Sequence, residues 1–105
     1  MVSEFVKLCK ADDLAEGKTK LFLIDDQPVL LARHGGDIYA LDGICTHDGG
    51  DLEAGEIIDG QIECPRHGAR FAITTGEVTR MPAVIGLRHF EVLQKNGEVF
   101  VSIAE

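Results

Sequence analysis

Two short segments hold the residue types that bind metals. Cys45-Thr46-His47 and Cys64-Pro65-Arg66-His67 each offer a thiol and an imidazole, and 16 residues separate His47 from Cys64. Thiolate and imidazole together suit a soft or borderline metal ion, and two of each make a set of four protein ligands. The spacings C-x-H and C-x-x-H put one ligand of each kind on the same loop. A zinc finger instead pairs like with like, as C-x2-4-C and H-x3-5-H. The mixed pairs therefore fit a dinuclear centre with mixed ligands better than one tetrahedral zinc. Other chemistry is poorly supplied. Serine occurs only at Ser3 and Ser102, near the ends, which argues against a serine nucleophile. The third cysteine, Cys9, leaves an odd number of thiols, so no disulfide framework is expected and free thiols or metal ligands are the better reading.

Ligands on loops need strands to hold them. Short apolar runs recur at Phe5 to Cys9, Leu21 to Ile24, Val29 to Ala32, Ile38 to Leu41, Leu87 to Leu93 and Val99 to Ile103. Their spacing predicts an antiparallel all-β domain. Asp25-Asp26-Gln27-Pro28, His34-Gly35-Gly36-Asp37 and Asn96-Gly97 supply the residues that reverse a chain between strands. Ala11 to Glu16 reads as about one helical turn ended by Gly17. From Asp42 to Glu63 the pattern changes: seven acidic residues, no Lys or Arg, and glycine at 43, 49, 50, 55 and 60. That stretch reads as a loop-rich insertion, and both ligand segments belong to it or border it.

Length and charge narrow the function further. The chain has 105 residues, 18 Asp and Glu against 10 Lys and Arg, and a formal net charge of −8 at pH 7. One compact domain over residues 1–105 is expected, with no room for a second catalytic one. The acidic balance disfavours nucleic acid and anionic membrane surfaces as partners. No run approaches the roughly 18–20 apolar residues of a membrane helix. Met1-Val2-Ser3-Glu4-Phe5 has neither a basic nor an apolar leader region, so no secretory signal is expected and a cytoplasmic location follows as the reading.

C-T-H-D-G-G-D-L over residues 45–52 and C-P-R-H-G-A-R-F-A-I-T-T-G-E-V over residues 64–78 resemble the two cluster-binding boxes of the Rieske family. Met81-Pro82-Ala83 resembles that family's proline-containing loop, which covers the cluster from a third side. The likeness extends to the order of the flanking strands and so to nearly the whole chain. It implies a Rieske-type antiparallel β-sandwich with a smaller inserted cluster-binding subdomain at approximately 43–83. It also implies one [2Fe-2S] cluster, with Cys45 and Cys64 on an inner iron and His47 and His67 on an outer one. Gly49, Gly50 and Gly68 would let backbone approach the cluster or adopt positive φ. The chain most resembles the ferredoxin component of bacterial multicomponent aromatic-ring dioxygenases. The implied function is one-electron transfer from a flavin-containing reductase to a terminal oxygenase, without an enzymatic activity of its own. Two alternatives stand beside it: a Rieske-like small subunit of another redox enzyme such as an assimilatory nitrite reductase, and a zinc or interaction module.

The departures from the family carry information. High-potential Rieske proteins tie their two loops by a disulfide; the matching positions here are Gly50 and Arg66. Those proteins also bond cluster sulfur with a serine and a tyrosine hydroxyl; the matching positions here are Ala69 and Phe71, which have none. A potential near the bottom of the class range is therefore implied. Ala72 stands where many relatives have an acidic residue. Of the remaining candidates, Cys9 reads as a buried structural thiol, and His34 and His89 as solvated or satisfied histidines. Arg66 and Arg70 read equally as surface charges or as partner contacts. Asp48, Asp51 and Glu53 would oppose reduction if they lie near the cluster, and the acidic run from Asp48 to Asp59 reads as a solvated face at least as readily as steering for a basic partner.

Overall fold

A computed structural model describes residues 4–103, and Met1 to Ser3, read above as part of a segment without a signal, lie outside it. The described residues form ten strands: β1 (Val6–Lys10), β2 (Thr19–Ile24), β3 (Gln27–His34), β4 (Asp37–Asp42), β5 (Glu56–Ile58), β6 (Gln61–Glu63), β7 (Arg70–Ala72), β8 (Val78–Arg80), β9 (His89–Lys95) and β10 (Glu98–Ser102). All ladders are antiparallel, and the protein is all-β as expected. Six strands form one sheet in the order β1-β10-β9-β4-β3-β2; β5 to β8 form a second, in sequence order. Among the described residues no helix is long and apolar enough to cross a membrane.

The six strands read from the sequence are the six of the larger sheet. Two-residue turns join several of them. Asp25-Asp26, Gly35-Gly36 and Asn96-Gly97 each have both residues at positive φ, the backbone of a turn whose twist matches that of the strands it joins. The same device at Asp59-Gly60 joins β5 to β6. The larger sheet folds at the β4–β9 seam, where only Ala40↔Phe90 and Leu41↔His89 pair. Its two halves close over one core built from Val29, Leu31, Ile38, Ala40, Phe90, Val99 and Val101. This is the sandwich.

Strand β3 is buried on both faces. Successive side chains on a strand point to opposite sides, so Val29 and Leu31 enter the sandwich core. Leu30 and Ala32 enter a second core together with Leu41, Leu52, Ile62, Phe71 and Ile73. Neighbouring leucines thus report on different halves of the molecule. Leu30→Ala and Leu31→Ala are each expected to cost about 2–5 kcal/mol in denaturant unfolding. Only Leu30→Ala opens its cavity in the core shared with Cys45 and Cys64, so only it should alter the environment of those thiols. Equal effects of both on the thiols would contradict this register.

The expected helical turn is shorter than the sequence suggests. Only Ala11–Asp13 forms a 3-10 turn. The carbonyls of Ala11 and Leu14 accept from the Arg33 guanidinium at 2.9 and 3.0 Å, and Gly17 N–H donates to the Arg33 carbonyl. Groups that would extend a helix are bonded to β3 instead.

The chain leaves β4 and returns to β9 at one place. Asp42 N–H donates to the Arg88 carbonyl at 2.9 Å, Arg88 N–H donates to Asp42 Oδ2 at 2.8 Å, and the Arg88 guanidinium lies 3.0 Å from Asp42 Oδ1. Everything between these residues, the small sheet included, is an excursion from one point of the large sheet. Within the small sheet the register aligns Ile57, Ile62, Phe71 and Val78 in one apolar row. That row packs into the core that contains both ligand-loop cysteines.

Candidate metal centre

The two ligand loops are built alike. Cys45 N–H donates to Gly50 O at 2.8 Å, and Cys45 O accepts from Gly49 N–H at 2.9 Å. In the second loop Cys64 N–H donates to Ala69 O at 2.7 Å, and Cys64 O accepts from Gly68 N–H at 3.1 Å. Each cysteine is therefore fixed by its own backbone, with bonds reaching four and five residues ahead. Gly49 and Gly68, at the four-residue position, have φ of 73° and 77°, where a side chain would be strained. Gly50, grouped with them from the sequence, has no positive φ. It is restricted by its surroundings instead: a Cβ there would lie 2.5 Å from Arg66 Cζ.

This pairing of loops brings the four sequence-predicted ligands together. Cys45 and Cys64 are 0% and 1% exposed, whereas His47 and His67 are exposed to solvent. The two thiols and an Asp48 oxygen lie within 4.8 Å of one another, as do one ring nitrogen from each histidine and an Asp48 oxygen. The imidazole rings meet edge to face, with centroids 5.2 Å apart. The thiol pair is thus buried and the imidazole pair exposed, with the Asp48 carboxylate close to both. Burial pushes the Cys45 thiol up from its ordinary pKa, with backbone N–H groups of Asp48 and His47 acting against it. A buried thiol pair of this kind is costly to ionise alone and is well matched to a cation that neutralises it. The donor set, two sulfurs inside and two nitrogens outside, fits a [2Fe-2S] cluster with mixed ligation.

The neighbourhood is more specific than the sequence revealed. Arg66 donates Nε–H to Asp48 Oδ2 at 2.6 Å and Nη2–H to Asp48 Oδ1 at 3.0 Å, and its Nη1–H reaches the Asp51 carbonyl at 3.0 Å. The Arg66 guanidinium holds the Asp48 carboxyl well below the usual carboxylate range. Arg66 is therefore a bridge between the loops, a third role beside the two weighed from sequence. Arg70 is also engaged, donating to Glu63 at 2.8 Å across the β6–β7 ladder. Glu53 turns to the large sheet, where its carboxylate accepts from Leu21 N–H at 2.9 Å, while Asp48 stays between the ligand pairs.

The third loop, Met81-Pro82-Ala83 with Val84 and Ile85 after it, lies against the first ligand loop. Ala83 is buried in the cysteine core, and Thr46 Oγ1 donates to the Ile85 carbonyl. Met81, Val84 and Ile85 are left 77%, 81% and 66% exposed, a concentrated apolar rim beside the first ligand loop. The other candidates lie elsewhere. Cys9 is half-buried on β1 beside a bulge, short of the full burial expected, and belongs to the sandwich core. His34 ends β3 against Gly60, and His89 is exposed on β9.

Comparison with known proteins agrees with this geometry. Residues 4–91 match the family model described as Rieske [2Fe-2S] domain. The chain is 33% identical over 97 residues to the ferredoxin component of biphenyl 2,3-dioxygenase from Rhodococcus jostii, covering 92% of this chain and 91% of that one. The ferredoxin of carbazole 1,9a-dioxygenase from Nocardioides aromaticivorans superposes with a TM-score of 0.89 at 31% identity, covering 92% of this chain and 95% of that one. A chain in a complex of reduced oxygenase and oxidised ferredoxin in carbazole 1,9a-dioxygenase superposes with a TM-score of 0.86 at 35% identity, covering 91% and 99%.

Proposed function

Because this chain belongs to the Rieske [2Fe-2S] domain family, we propose that it is a one-electron carrier that delivers electrons to the terminal oxygenase of a ring-hydroxylating system and collects them from a flavin-containing reductase. The observation that carries the proposal is the sorting of four ligands into a buried thiol pair and an exposed imidazole pair. Cys45, Cys64, His47 and His67 would hold the cluster, which when bound gains and loses one electron. The protein's own part is to fix the distance from cluster to surface. The thiols sit in a core packed by Leu30, Leu52, Phe71 and Ile73, which keeps water from the inner side. The imidazoles stand at the surface, so His47 and His67 form the shortest route for an electron to enter or leave. Met81, Val84 and Ile85 would supply apolar area for a transient oxygenase contact. With all four ligand positions filled by the protein, no place is left for substrate, and the chain would have no enzymatic activity alone. Free thiols suit the reducing cytoplasm, where we place its work.

The test is compositional and then kinetic. The purified protein should be red-brown, with two irons and two acid-labile sulfides per chain. Its visible band should bleach with NADH and a flavin-containing reductase under anaerobic conditions, and recover when a ring-hydroxylating oxygenase is added. Stoichiometric zinc without sulfide, after expression with ample iron, would overturn the reading.

A further inference from the structure

Gly50 and Arg66 face each other across the two ligand loops: a Cβ on Gly50 would collide with the Arg66 guanidinium. The guanidinium uses all three of its nitrogens, and every acceptor lies on the first loop: both Asp48 oxygens and the Asp51 carbonyl. Asp48 in turn accepts from Gly50 N–H at 2.9 Å, which locks the carboxylate to its own loop. A planar fork on a carboxylate fixes distance and orientation together, which a single-point contact does not. The Asp48 side chain is 14% exposed and that of Arg66 36%, so the carboxylate is the better shielded of the two.

Its position gives it a second effect. Asp48 Oδ2 lies 3.6 Å from Cys64 Sγ and 3.4 Å from His67 Nδ1, between the thiol pair and the imidazole pair. A lone carboxylate there would oppose the arrival of an electron. Arg66 cancels that charge at 2.6 Å. We propose that Asp48 and Arg66 are positioning residues, a non-covalent strap that holds the two ligand loops in register and leaves the site electrically balanced. This rests on the reading that the four ligands hold a [2Fe-2S] cluster.

Charge and geometry can be separated by substitution. The test uses the cluster-loaded full chain, with the midpoint potential read by protein-film voltammetry and cluster loss read as bleaching of the visible band in a chelator. Arg66→Gln exposes the carboxylate and should shift the oxidised-to-reduced ratio at fixed poise about tenfold toward oxidised, or ~59 mV downward. Asp48→Asn exposes the guanidinium and should shift the ratio the opposite way. The double variant should return to within about threefold of the parent, or ~28 mV. All three should lose the cluster about tenfold faster than the parent, the scale seen for groups just outside a metal's ligands. Arg66→Lys keeps the charge without the fork, so it should keep the parental potential and still bleach faster. If Arg66→Gln assembles no cluster, Arg66→Lys and Asp48→Asn carry the test. Potentials that move the same way in Arg66→Gln and Asp48→Asn would overturn the charge balance, and parental bleaching in Arg66→Lys would overturn the strap. A parent protein without iron and sulfide would instead remove the reading on which the strap rests.

Discussion

Cys45→Ser and Cys64→Ser should each yield colourless protein, while Cys9→Ser should keep the full visible spectrum. The two loop thiols are buried and mutually adjacent, and each would provide half of the inner ligand pair. A serine hydroxyl is a harder donor and stays protonated at neutral pH, so it does not replace a thiolate toward iron. Iron content in either variant is expected to fall below about a tenth of the parental value, since metal affinity at such a site depends on the deprotonated ligand. The loops themselves should survive. Cys45 and Cys64 are held by backbone hydrogen bonds that a serine makes equally well, so loss of colour with retained circular dichroism reports ligation and not unfolding. Cys9 pairs with Val99 in the large sheet and belongs to the other core. A Cys9→Ser protein that bleaches beside a coloured Cys45→Ser protein would reverse the assignment.

The second large effect is on potential. Ala69 and Phe71 are both 0% exposed and share a core with the two thiols, so neither position could offer a hydroxyl to the sulfur of a cluster held by those thiols. A hydrogen bond to a charged group contributes about 1.5–3 kcal/mol, and one electron converts 1.4 kcal/mol to about 59 mV. Two absent donors therefore lower the potential by about 130–260 mV within a class range of about −150 to +300 mV. The expected midpoint at pH 7 is at or below about −50 mV. Ala69→Ser and Phe71→Tyr should each raise it by roughly 65–130 mV. An internal control is available. With metal removed, the new hydroxyl in Phe71→Tyr is buried among apolar side chains, so the apo variant should be less stable than apo parent by about 1–3 kcal/mol. A parental midpoint above about +100 mV, or no rise in either variant, would reject the argument.

The large sheet was legible because its strands carry a repeated signal. Val29-Leu30-Leu31-Ala32 is an unbroken apolar run bounded by turn residues, and the structure shows why it is unbroken: both faces are covered. The small sheet was illegible for the opposite reason. Each of β5, β6, β7 and β8 spans three residues, and each adds one residue to the row Ile57, Ile62, Phe71 and Val78. Alternation cannot be seen in a strand that displays it once. Around β5 and β6 the chain is acidic and glycine-rich, so the stretch from Asp42 to Glu63 read as loop. The four candidate ligands could be picked out from sequence because residue type and local spacing mark them, and the fold brings them together. The Arg66–Asp48 fork could not, since it joins residues 18 positions apart that meet only when the two loops are set side by side.

The Asp42–Arg88 clasp bears on how such a molecule is assembled from parts. Strands β4 and β9 are already antiparallel neighbours at Ala40↔Phe90 and Leu41↔His89, and the clasp continues that ladder by one more step. In outline β4 and β9 are a hairpin of the sandwich whose turn is replaced by a guest spanning 43–87. Host and guest meet through covalent joints set next to each other and through the outer face of β3 and β4, where Leu30, Ala32 and Leu41 are covered. Termini that lie side by side are what makes a segment portable from one scaffold to another. Grafting the guest therefore requires two things of a recipient: an antiparallel strand pair that ends in step, and an apolar triplet on the face beneath it. A host deprived of its guest would need that triplet made polar to stay in solution, and a two-residue turn would then complete the hairpin.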